Sequence, residues 1–221
     1  MVVVNPTNQG EPHTRLLDAL AATNSSTRLR AALSAGTLGD PGLAQALLAR
    51  CAVEPDFFVR DMLTWALCRL PSEITVPRLL EELSSATAQA RSQALHTLSK
   101  IGDRTAWPAV SALLHDAHDD VALSAWRAAV VLVPSGAEGE LAADLVEALG
   151  RGDHDMQLSL GRALAALGSD ASPSLHAAGA SRDPRVRAHA AATERLVNDP
   201  ESSFTLSVEM AKRVAVTGPD S

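Results

Sequence analysis

Between Val59 and Leu70 the chain reads VRDMLTWALCRL, and its apolar residues Val59, Leu63, Ala66, Leu67 and Leu70 are separated by steps of 4, 3, 1 and 3. That spacing follows the turn of an α-helix with one buried face, not the two-residue alternation of a strand. The pattern returns at Ala90–Ile101, Val121–Leu132, Met156–Leu167 and Val186–Val197, with a fainter copy starting at Leu29. The first residues of successive copies lie 30, 31, 31, 35 and 30 positions apart. A period near 30 holds two short helices and their turns but is too short to enclose a core. Such units bury their apolar faces only by stacking on one another.

The segments between copies supply a partner helix for each. Leu43–Cys51, Val76–Leu83, Trp107–Leu114 and Leu141–Leu149 read as first helices, and Ser174–Gly179 as a short fifth. Pro77 and Pro108 stand near the starts of theirs, where a missing N–H costs nothing. Turns rich in Asp, Pro and Gly precede the second helices: Glu54-Pro55-Asp56, His118-Asp119-Asp120, Gly152-Asp153-His154-Asp155 and Arg182-Asp183-Pro184. An Asp placed there is expected to cap the helix that follows. At the start of the chain, Leu16–Ala22 and Thr27–Ala35 form the first pair, and the run Ser34–Asp40 is expected to be a turn.

The turn Asp56 with Val59-Arg60 and Ala66, then Arg91 with Thr97 and Gly102-Asp103, then Asp183 with Val186-Arg187 and Thr193, form a recurring signature. It resembles HEAT repeats, and most closely the short bacterial kind called PBS-lyase HEAT-like repeats. The resemblance implies an all-α, right-handed α-solenoid of about six HEAT-like helix pairs. Residues 14–197 form the stack, 1–13 a flexible leader, and 198–221 a C-terminal capping segment and tail. It also implies that the arginine after the anchor ties neighbouring repeats through turn carboxylates. Ala122 and Gln157 stand where that arginine is missing, so the stack is expected to be looser there.

Composition narrows the partners. Aromatic residues make up 3% of the chain and there is no Tyr, so Ala and Leu do the packing, which suits close helix contacts. The net charge of -7 disfavours nucleic acid or an anionic membrane as the main partner. Another protein is the expected partner, and self-association through the flanks of the stack stays open. The first residues lack the charged flank and apolar core of a signal peptide, and no run reaches the 18 or so apolar residues that span a membrane. A cytoplasmic location with Cys51 and Cys68 reduced is the simplest expectation.

Chemistry is sparse. In a helix-pair stack the second helices line the concave side, and the residue six positions after each anchor should face it. Those positions hold Trp65, His96, Arg127, Arg162 and Ala192, with Trp126, Asp61 and Gln93 close by. The expected partner-binding ridge is therefore Asp61, Trp65, Gln93, His96, Trp126, Arg127 and Arg162, since Trp and Arg commonly anchor protein interfaces. The competing reading makes Trp65 and Trp126 gap-fillers between alanine-rich helices, and Trp107 reads as packing. The run His115–Asp120, HDAHDD, is the densest set of metal-capable side chains, but it reads as a solvated turn and cap, and no metal or cofactor is expected.

No phosphate loop, nucleophile elbow or zinc-protease motif is present. Deoxyhypusine hydroxylase, a HEAT-like enzyme, binds iron through His-Glu pairs, and this chain has no His-Glu dipeptide. Alkylpurine DNA glycosylases of the HEAT-like class use a cleft with Trp, Asp and Arg. Asp61, Trp65, Trp126, Arg127 and Arg162 could be placed in one, although the acidic chain lacks a basic surface for a duplex. Bilin lyase subunits share the repeat type. The leading expectation is a non-catalytic protein-binding or scaffold module. The alternative is a HEAT-like enzyme or enzyme subunit of the glycosylase or bilin-lyase kind.

Overall fold

The computed structural model describes residues 10–199, with side chains from residue 13 onward. The leader before residue 10 and the capping tail from residue 200 lie outside the described residues. Twelve α-helices follow in order among them: α1 Gly10–Leu20, α2 Ser25–Leu38, α3 Ala44–Cys51, α4 Phe57–Cys68, α5 Ser72–Glu82, α6 Ala88–Ile101, α7 Trp107–Ser111, α8 Asp119–Leu132, α9 Glu138–Val146, α10 His154–Ala166, α11 Ser172–Gly179 and α12 Pro184–Asn198. The fold class is all-α, a right-handed α-solenoid of helix-pair repeats, with odd-numbered helices first and even-numbered helices second in each pair.

The chain divides into two compact units, one ending at Ile101 and one beginning at Gly102. The first contains α1–α6 and the second α7–α12. Within the first, α4 packs on both α2 and α6; within the second, α10 packs on both α8 and α12. Stacking of the second helices is what gives each repeat a buried surface. Alanine at the contacts permits it: Ala31, Ala32, Ala35 and Ala66 in the first unit, and Ala122, Ala125, Ala128 and Ala129 in the second, are buried.

The local signals act largely as expected. Asp56, Asp153 and Asp183 cap α4, α10 and α12 by accepting bonds from backbone N–H groups of the first turn. Gly39 and Gly102 adopt positive φ of 65° and 75° directly after α2 and α6. Each is followed by an aspartate, Asp40 or Asp103, that accepts from an N–H two residues on and starts a short 3-10 turn. The second helices begin about two residues before the apolar anchors.

Four local expectations are corrected. The run Ser34–Asp40 is not a turn through its length, because α2 continues through Gly36 to Leu38 and only Gly39 breaks it. Pro77 lies well inside α5 rather than near its start, because that helix begins at Ser72. At α8 the capping position is His118, with Asp119 and Asp120 inside the first turn, where their charge favours the helix N-terminus. The fourth concerns the arginines.

Those arginines mainly hold their own turns. Arg60 and Arg187, and likewise Arg28 one place before the Leu29 anchor, each donate Nη1 to the carbonyls six and five residues upstream. Arg91 donates to the carbonyl of Ser85, six upstream. The guanidinium thus satisfies carbonyls that the turn leaves open. Arg28 also bonds a turn carboxylate of the next repeat, that of Glu54.

The two repeats without the arginine are not left open. Gln157 donates to the carbonyl of Gly152, five upstream. At Ala122, the carbonyl six upstream belongs to Asp116, and Arg151 of the next repeat reaches it at 2.8 Å while also pairing with Asp119 at 2.8 Å. The expected loosening in the middle is thereby offset with other side chains.

Candidate functional site

In the second unit, α8 and α10 run side by side and leave a groove of about 590 Å³ between their outward faces. Arg127 and Val130 of α8 line one wall; Asp155, Leu158, Ser159, Arg162, Ala163 and Ala166 of α10 line the other. The helical period explains the set. Asp155, Leu158, Ser159, Arg162, Ala163 and Ala166 are spaced 3, 1, 3, 1 and 3 along α10, a single stripe of one helix.

Arg127, which lines the groove, donates Nε to the hydroxyl of Ser159 at 3.1 Å, and its terminal nitrogens form no hydrogen bond with the described residues. Arg162 is exposed and forms no hydrogen bond or ion pair with the described residues. Asp155 sits in the first turn of α10, where the helix N-terminus stabilises its charge without a cation. The groove therefore presents two guanidinium groups against one carboxylate, in a chain whose net charge is -7. Its apolar part is aliphatic: Val130, Leu158, Ala163 and Ala166.

The seven residues expected to form one ridge divide between the units. Arg127 and Arg162 meet in the groove. Trp126 does not join them: it is 0% exposed and belongs to the core of the second unit. Its indole N–H donates to the carbonyl of Leu114 at 2.9 Å. For Trp126 the gap-filling alternative is the one realised. The residue five positions after the anchor is buried in neighbouring copies too, as Thr64 and Leu95 show.

Asp61, Trp65, Gln93 and His96 lie in the first unit, on α4 and α6. Asp61 is exposed, Gln93 and His96 are half-buried, and Trp65 is 39% exposed with its ring over Gly36 of α2. Trp107 is half-buried at the start of α7.

Sequence reasoning missed two features. Ser159 and Leu158, three and two positions after the Met156 anchor, complete the groove; their place on the stripe of Arg162 was the available signal. In the first unit, Phe57 and Phe58 are 65% and 72% exposed, ring against ring edge at 5.6 Å, with Arg60 lying 6.0 Å from the Phe57 centroid. They directly precede the buried anchor Val59, so the helical period itself turns them outward.

The strongest electrostatic feature is structural. Glu54, 0% exposed, accepts from Arg28 Nε and Nη2 and from Arg50 Nε, each at 2.7 Å, and from the Asp56 N–H at 3.0 Å. Burial by itself would raise its pKa, but the bonds from Arg28, the Asp56 N–H and Arg50 prevail and hold it down at about 2. Gln89 ties the same turn to α6 by donating to the carbonyls of Cys51 and Glu54. Burial, then the nearby Glu54 charge, pushes the Cys51 thiol up to about 12, so it stays protonated and inert.

The run His115–Asp120 serves its turn: Asp116 accepts from the His118 N–H, and Asp119 pairs with Arg151. Among the described residues, no group of three or more His, Cys, Asp or Glu side chains is arranged to hold a metal ion. No helix among them is long and apolar enough to cross a membrane.

No protein-family profile and no curated protein matches the chain. Solved structures similar to it include two engineered proteins. One shares 18% identity at a TM-score of 0.47, covering 86% of this chain and 98% of its own. The other shares 21% identity at a TM-score of 0.44, covering 89% and 96%. A third is the complex of CpcE and CpcF of phycocyanin lyase from a Nostoc species, at 18% identity and a TM-score of 0.38, covering 97% of this chain and 99% of that one. Likeness at this level of identity and superposition bears on helical repeats and not on function.

Proposed function

We propose that this helical-repeat protein is a non-catalytic protein-binding module, and that the groove between α8 and α10 receives part of its partner. The observation that carries the reading is the groove itself: an aliphatic stripe flanked by Arg127 and Arg162, two guanidiniums that have no carboxylate partner among the described residues. A rigid pair of helices presents these groups with little ordering cost on binding, and Arg set beside aliphatic surface is a common composition for interface anchors. Asp61, Trp65, Gln93 and His96 are proposed as a separate contact surface on the first unit.

The test is site-specific photo-crosslinking in cells, with the reactive residue placed at Leu158 or, as a control, at the exposed Asp144 of α9. A defined protein captured from position 158 and not from 144 is expected. The same protein, purified, should bind the wild type at least about tenfold more tightly than R127A/R162A. Equal capture from both positions, or binding unchanged in the double variant, overturns the reading. A small chromophore or base-containing ligand co-purifying with wild type and lost from the variant would move the protein to the enzyme-subunit class.

A further inference from the structure

Resting on that proposal, we infer that the groove between α8 and α10 is selective for an acidic, aliphatic polypeptide segment, with carboxylates on Arg127 and Arg162 and aliphatic side chains on the stripe of Leu158, Ala163 and Ala166. The charge balance sets the sign. The groove is locally positive inside a chain of net charge -7, so the rest of the surface repels an acidic segment less at this place than elsewhere. The planar fork of an Arg pairs with a carboxylate through two parallel hydrogen bonds, and Arg127 is already turned for this by its Nε bond to Ser159.

Geometry sets the spacing. Ser159 and Arg162 are three residues apart on α10, and Leu158 and Ala166 are eight apart, so the stripe from Leu158 to Ala166 is about 12 Å long at 1.5 Å per residue. That matches roughly two turns of an incoming helix, or three to four residues of extended chain. Asp155 closes one end of the stripe with a negative charge. An acidic segment is thus directed to place its carboxylates on Arg127 and Arg162, and a basic residue on Asp155. Nucleic acid is disfavoured by the aliphatic walls and by the absence from the lining of any aromatic ring on which a base could stack.

A random-peptide display library is selected on the full-length protein, with R127Q/R162Q as counter-selector. Circular dichroism first establishes that the variant keeps its helicity, as expected for two exposed positions. Acidic, aliphatic peptides are expected, with affinity falling about tenfold or more in the double variant, falling when each Glu is replaced by Gln, and falling with added salt. Peptides that depend on the groove but are neutral or basic would overturn this inference while leaving the binding-module proposal standing. Failure to recover any peptide that distinguishes wild type from the variant overturns both. A fluorescein-labelled single-stranded oligonucleotide is run in parallel; tighter, arginine-dependent binding of that probe than of any selected peptide would also overturn the inference.

Discussion

The indole of Trp65 on α4 occupies the space that a side chain at Gly36 on α2 would need: a Cβ placed there would fall on the ring and within 2.9 Å of the Ala66 Cα. The missing side chain lets α2 and α4 approach closely, and it gives a partly exposed tryptophan a fixed seat. In a helix interior, Ala for Gly normally gains about 1 kcal/mol. Here the clash should reverse the sign, and Gly36→Ala is expected to destabilise the protein by about 1–3 kcal/mol in urea unfolding. A variant as stable as wild type would show that the seat is not tight.

Glu54 gives the first unit a distinct acid response. Its pKa of about 2 in the folded chain lies below the ordinary 4.5, so its contribution is full above pH 4.5 and is lost as the pH falls through 2. The shift corresponds to roughly 3 kcal/mol. Comparison of acid unfolding curves for wild type and Glu54→Gln should show the difference between them shrinking through this window. Glu54→Ala at neutral pH should cost about 3–5 kcal/mol, because it strands the buried Arg28 guanidinium. Helical melting curves that superimpose for all three proteins would refute this account.

A second titration window belongs to the second unit. His189 is 1% exposed and neutral, with Nδ1 accepting from the Gly150 N–H at 3.0 Å and Nε2–H donating to the Gln157 carbonyl at 2.9 Å. Burial lowers its pKa from 6.5 to about 4, the bond to Gln157 opposing only in part. Its stabilising contribution is therefore present above pH 6.5 and lost as the pH falls toward 4, up to roughly 3 kcal/mol. His189→Gln should flatten the dependence of melting temperature on pH between 6.5 and 4. An unchanged slope would mean that another group titrates there.

The buried tryptophan offers a cleaner test of a single hydrogen bond. Trp126→Phe removes the donor to the Leu114 carbonyl and leaves a small void, with an expected loss of about 1–3 kcal/mol. Equilibrium unfolding in urea reads the loss directly. Stability within 0.5 kcal/mol or so of wild type would demote that bond to a minor contact.

Arg151 substitutes for the arginine missing at Ala122. Arg151→Ala should cost about 1–2 kcal/mol, since it frees the Asp116 carbonyl and the Asp119 carboxylate together. Arg185→Ala, at an exposed position with no side-chain bond among the described residues, serves as the comparison and should change little. Equal losses from the two would remove the substitution argument.

Periodicity and turn chemistry were legible in the chain because they are local. Steps of 3 and 4 named the buried faces of α4, α6, α8, α10 and α12. Aspartates before second helices and glycines after them marked several of the boundaries, since capping and positive φ need particular side chains within a few residues. The outward positions of Arg127 on α8 and Arg162 on α10 followed from the same count.

What the count could not supply was contact between segments distant in sequence. Trp126 finds its partner in a carbonyl twelve residues away, in the turn after α7, and no period within α8 announces that. Gly36 reads as a helix breaker until the ring of Trp65 is set against it. The carbonyl of Asp116 receives Arg151 from 35 residues on, and Glu54 collects Arg28 from 26 residues back. The division into two compact units is likewise a matter of which helices touch. A helical repeat declares its own faces through its period, but the partner of each polar group is chosen by packing, which only the folded chain brings together.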